Sequence, residues 1–236
     1  MANAVTLFGP LHLSLLLAIV AIAVLLVVLC RRRVLSSRAV CLAVGCALGT
    51  DEIAWWIWRY SREGIHAGNL PLQLCDVAVW LAVAACLTRS VPLAELTWFF
   101  GIAGAGMALL TPDLWAPWPQ WPAIYFFLAH GGVVIAASLL AFSGVVNFRP
   151  RSIWRSYAVL LVWAAVVGRI DAILGANYMY LRQKPGNASI LDLMPPWPWY
   201  IAGGASLALA LFWLLWIPFR VLPTEASRRA AAPADH

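Results

Sequence analysis

Seven apolar stretches of about 20 residues recur along this chain, at 11–30, 39–58, 70–88, 93–110, 123–142, 153–175 and 197–217, a pattern that reads as helices crossing a lipid bilayer. In hydrocarbon every backbone N–H and C=O needs a partner inside the protein, and a helix supplies one within its own segment. Hydrophobic residues make up 63% of the 236 and charged residues 11%. A soluble domain carries about half and about a quarter, so a water-soluble fold is excluded. The expected fold is all-α: a polytopic bundle of seven transmembrane helices forming one domain over residues 1–220. The polar, alanine-rich end from 221 to 236 reads as a disordered cytoplasmic tail.

The first stretch follows an uncharged N-terminus and precedes Arg31, Arg32 and Arg33. A secretory signal has its basic residues first, so this segment reads as an anchor. Basic residues then divide unevenly between alternate sides. Arg31, Arg32, Arg33, Arg38, Arg89, Arg149, Arg151, Arg155, Arg220, Arg228 and Arg229 fall on one side, against Arg59, Arg62, Arg182 and Lys184 on the other. The positive-inside rule makes the richer side cytoplasmic, with the N-terminus outside and the C-terminus inside. Trp115, Trp118, Trp121, Trp197 and Trp199, in the two Pro-rich outer loops, suit an interfacial aromatic belt or short re-entrant segments. Gly101, Gly104, Ala105, Ala108, Gly203 and Gly204 suit close helix packing.

A formal charge of +6 carried in short loops beside apolar spans is explained by topology and anionic headgroups, and no nucleic-acid partner is expected. Cys30, Cys41, Cys46, Cys75 and Cys86 show no CxxC spacing, which points away from a thiolate metal cluster. No metal or organic cofactor is implied.

Ionisable groups inside spans are costly, so each needs a reason to be there. Asp51, Glu52, Asp76, His130, Arg169 and Asp171 all map toward the outer ends of their spans. Cys75 belongs to that layer too. Pro71 suits the first turn of a helix, which puts Cys75 one turn in, near the positive end of the helix dipole that favours a thiolate. His130 is the available base, since His12 starts the first span, His66 lies in a loop and His236 ends the chain. Taken singly, Cys75 reads as a small core filler and His130 as a helix-bridging hydrogen bond. At one depth and beside charged residues, they read as nucleophile and base.

The other residues have supporting readings. Asp51 or Glu52 could orient His130, and the two point about 100° apart on one helix, so both cannot do so equally. Arg169 and Asp171 read either as part of the site or, with Asp51 and Glu52, as an ion pair joining the second and sixth spans. Asp76 pairs toward Gln73, three residues back, and Gln73 with the amides of the third span could hold an oxyanion. Asn177, Tyr178, Arg182 and Lys184 form a loop at headgroup level, where the cations could meet a lipid phosphate. Glu95, near the inner interface, is expected to be solvated.

The segment LPLQLCD at 70–76, the His130 span and NYMYLRQKPGNASILDLMPPWPWY at 177–200 resemble the YwaF-like bacterial integral membrane family. That family is similar to the animal transmembrane cysteine acyltransferases of ether phospholipids, and more distantly to the androgen-induced fatty acid ester hydrolases. Gln73 stands where the family often carries histidine. The resemblance implies Cys75 as acyl-accepting nucleophile and His130 as catalytic histidine, in a multi-pass protein of the bacterial cytoplasmic membrane. A membrane phospholipid would then be the acyl donor and a second lipid the acceptor.

The expected function is therefore a membrane lipid acyltransferase working through a cysteine acyl-enzyme. With water as acceptor the same pair would make a lipid or fatty-ester hydrolase. In a third reading the intramembrane charges line the path of a small-solute or proton-coupled transporter.

Overall fold

Each apolar stretch becomes a helix whose ends are set by its flanking residues. The computed structural model describes residues 5–114, 116–149, 151–186 and 190–221, all helix, turn or loop with no strand among them. Pro10, Pro92 and Pro122 occupy the first turns of α1 (Pro10–Arg31), α4 (Val91–Leu110) and α5 (Trp121–Phe142), where a missing N–H costs nothing. Ser36 caps α2 (Ser37–Glu63) by accepting from Ala39 N. Gly64 and Gly175, both with positive φ, terminate α2 and α6 (Ser152–Leu174). The series closes with α3 (Leu74–Thr88) and α7 (Trp199–Val221). The tail beyond 221 and Trp115 lie outside the described residues.

Six of these helices, 20 to 27 residues long, are long and apolar enough to cross a membrane. The exception is α3, at 15 residues. Its length of about 22 Å falls short of the ~30 Å hydrocarbon core. The expected helix over 70–88 thus loses its first turn. Leu70 precedes a proline, which disfavours helical backbone, and its N–H is taken by the Tyr178 hydroxyl at 2.7 Å. Leu72 N turns back to Leu70 O instead, at 2.8 Å.

α2, α3, α4 and α5 form the centre of the bundle, α1 lies against α5, and α6 and α7 pair with each other beside α4. Trp55, Ala78, Ala82, Ala85, Phe99, Phe100, Val133 and Leu140 fill the core. The middle of α4, Thr97–Ala105, is a π-helix, and there Gly101 faces Val133 of α5. Gly203 faces Met194 of a loop and Gly204 faces nothing within 4 Å, so the expected packing role of that pair in α7 is absent. Small residues do set the α2–α3 contact. A Cβ on Gly45 would stand 2.9 Å from the Cβ of Cys86, an atom that no rotamer change can move. Gly45→Ala should therefore push α2 from α3 and cost about 1–3 kcal/mol, read as a lowered unfolding temperature in detergent.

Glu95 is fully buried rather than solvated. It pairs with Arg155 of α6 and accepts from Arg149 N at 2.8 Å, tying α4 to the start of α6. His12 is a second buried tie. Its Nε2 donates to Leu109 O at 2.7 Å and its Nδ1 accepts from Phe8 N at 3.0 Å, which occupies both nitrogens.

Candidate active site

Losing its first turn brings α3's amides closer to Cys75. Gln73 is the N-cap, so Cys75 is the second helical residue, with the backbone N–H groups of Cys75 and Asp76 in reach of its sulfur. Asp76 Oδ2 accepts from Gln73 N at 3.0 Å and closes the turn, the pairing expected from their spacing. The Gln73 side chain spends its oxygen on Met179 N at 2.9 Å, which leaves its NH₂ as the donor.

His130 enters from α5. Its Nδ1 lies 2.7 Å from the carbonyl oxygen of Phe126, one turn earlier, and the ring stacks on the Phe126 ring with centroids 4.2 Å apart. A carbonyl only accepts, so Nδ1 carries the hydrogen and Nε2 of the neutral ring carries the lone pair. Cys75 and His130 line one cavity of about 440 Å³. Gln73, Asp76, Tyr125 and Tyr180 share its wall, with Arg59 and Asp113. Among the described residues no hydrogen bond joins the thiol to the imidazole. Such a pair can deprotonate a thiol once Sγ and Nε2 close to hydrogen-bonding distance, with helix-start amides facing the charge that forms.

Neither carboxylate of α2 orients the imidazole. Glu52 is fully buried and accepts from Trp56 Nε1 and from Tyr125 Oη, both at 2.7 Å. It holds Tyr125, which stacks on Trp55 with ring centroids 4.1 Å apart. Asp51 has a buried oxygen, Oδ2, without a hydrogen-bond partner among the described residues, and lies off the cavity wall. The group that orients His130 is its own helix's Phe126 carbonyl.

Arg169 and Asp171 part company. Arg169 is exposed on α6 and makes no ion pair among the described residues. Asp171 is fully buried and accepts from Tyr178 N at 2.9 Å. The expected ion pair between the second and sixth spans is absent because α2 packs on α3 and α5 instead.

The loop after α6 is braced from within. Asn177 accepts from Arg182 N and Gln183 N and donates to Gln183 O at 2.9 Å. Arg182 reaches Asp171 O and Ala176 O, and Lys184 Nζ donates to Met194 O at 2.8 Å. Tyr178 Oη donates to Ala67 O and accepts from Leu70 N, both at 2.7 Å, so its hydroxyl fixes the approach to α3. Of the four, Tyr178 alone reaches the cavity.

Tyr125, Tyr180, Arg59 and Asp113 escaped the sequence reading. Arg59 lies one turn beyond Trp55 and two beyond Asp51 along α2, and that helical spacing could have found it. Tyr125 had no such signal, because Glu52 is 73 positions away in another helix.

A family model described as the TMEM164 family matches residues 7–216. No curated protein and no solved structure matches the chain. That span starts ahead of α1, runs deep into α7 and takes in Cys75, His130 and the whole cavity wall, and the chain belongs to the TMEM164 family.

Proposed function

We propose that this multi-pass membrane protein is a lipid acyltransferase that carries the acyl group on Cys75. His130 Nε2 takes the thiol proton, and Sγ attacks the ester carbonyl carbon of a phospholipid. The tetrahedral oxyanion meets the amides at the start of α3 and the Gln73 NH₂. The C–O bond then breaks, and the lysophospholipid alkoxide leaves with the proton held by His130. In the second half His130 takes the proton of an acceptor lipid's hydroxyl, that oxygen attacks the thioester, and Cys75 is restored by the returning proton.

The observation that carries the reading is the shared cavity, whose wall includes both Cys75 and His130, an imidazole whose Nδ1 is taken by Phe126 O. Asp171 and Glu52 are spent on Tyr178 and Tyr125, and Arg169 points away, which disfavours a solute path built from these charges. The proposal includes an outward-facing cavity, kinship with the YwaF-like bacterial proteins and residence in a bacterial cytoplasmic membrane. The distant likeness to ester hydrolases makes water the competing acceptor.

A thiol-directed lipid probe should label the purified wild type and leave Cys75→Ala unlabelled. Equal labelling of the two would sink the acyl-enzyme. Lipid profiling of membranes with and without the protein separates the acceptors: redistributed acyl chains mark transfer, and released fatty acid marks hydrolysis.

A further inference from the structure

At the opposite end of α6 from Asp171, roughly 28 Å along the helix axis, a second pocket opens at the surface. Arg149, Arg151, Ser152, Trp154 and Arg155 line it. The acyl-transfer scheme uses none of them. Arg155 is neutralised by Glu95, but among the described residues no carboxylate pairs with Arg149 or Arg151. Both side chains are exposed, so the pocket carries two uncompensated positive charges.

Two further features point to an anion. Ser152 is 1% exposed and lines the pocket, yet among the described residues its hydroxyl has no hydrogen-bond partner. A hydroxyl buried without a partner is destabilising, and a ligand oxygen would remove that penalty. Ser152 also opens α6, whose first turn has no side-chain cap among the described residues, so the positive end of the helix dipole lies beside the arginines, while the Ser152 N–H itself is turned to Arg149 O at 3.0 Å. Trp154 is 56% exposed and stands edge-on to Trp213 of α7, as an aromatic at the membrane interface would.

We infer that this pocket binds a phosphate group, with Arg149 and Arg151 as the charge partners and the Ser152 hydroxyl as the buried donor. Its place at the end of a span, with an exposed tryptophan beside it, makes the headgroup of an anionic phospholipid the natural bearer. Free phosphate offers the same chemistry.

Native mass spectrometry of the full chain in detergent tests this with phosphatidylglycerol and phosphatidylcholine as probes and inorganic phosphate as competitor. The wild type should retain phosphatidylglycerol over phosphatidylcholine, and the double variant Arg149→Gln/Arg151→Gln should lose that preference by about tenfold or more, as expected for two charge-assisted contacts. Arg32→Gln/Arg38→Gln, which removes the same charge from exposed positions outside the pocket, should keep it. Resistance to inorganic phosphate identifies the lipid as ligand, and displacement by it identifies free phosphate. Equal retention of the two lipids with no phosphate bound would overturn the site, as would equal losses in both double variants. Because both guanidinium groups are exposed, the substitutions leave the core intact. Ser152→Ala supplies a milder second variant, with a partial loss expected.

Discussion

His130→Ala should slow acylation of Cys75 by about 10²- to 10⁴-fold at neutral pH, the usual contribution of a positioned general base. Folding should be unaffected, because the described hydrogen bond of the imidazole is to Phe126 O of its own helix and ties no second helix to α5. This separates a chemical role from a structural one. The lost rate should return in part as the pH is raised, since hydroxide can then generate the thiolate without the imidazole. The measurement is the rate of lipid-probe incorporation into Cys75 across a pH series, with thermal unfolding in parallel. An unchanged neutral-pH rate would remove His130 from the chemistry. A large fall in unfolding temperature with no change in rate profile would return it to a packing role.

The second large effect concerns stability. Glu95→Ala should destabilise the bundle by about 1.5–3 kcal/mol, because it leaves the half-buried Arg155 without its counter-charge. Among the described residues Nε and Nη2 of Arg155 are buried with no other hydrogen-bond partner, and Arg149 N would lose its acceptor as well. Glu95→Gln should cost less, since the amide oxygen can still accept from Arg149 N. The double variant Glu95→Leu/Arg155→Met should recover most of the loss, because it removes both charges together. Thermal unfolding in detergent reads all three. If Glu95→Ala unfolded at the wild-type temperature, the burial of this pair would not be a source of stability.

The helices were legible because lipid leaves the backbone few choices, and all seven apolar stretches form helices at nearly the expected positions. The errors arose where a local rule met a distant partner. Pro71 suited a helix start by its own geometry, but the hydroxyl of Tyr178, 108 positions from Leu70, takes the Leu70 amide and leaves the turn extended. Glu95 looked solvated by its place near a span end, yet Arg155 covers it. Asp51 and Glu52 were indistinguishable as neighbours on one helix. Trp56, one turn on, and Tyr125, arriving on α5, both engage Glu52, and the contact from α5 lies outside the reach of any local rule.

Composition and periodicity alone established an all-helical membrane protein with ionisable groups placed at a cost that implies use. Those are properties of single segments against lipid, and a segment's own residues suffice to determine them. Which groups meet was decided by tertiary packing. Cys75 and His130 came to one cavity because α3 and α5 both pack at the centre of the bundle, whereas Arg169 was turned outward because α6 lies at its edge. Contacts between helices depend on the pairing of whole surfaces, and no single stretch of chain carries that information.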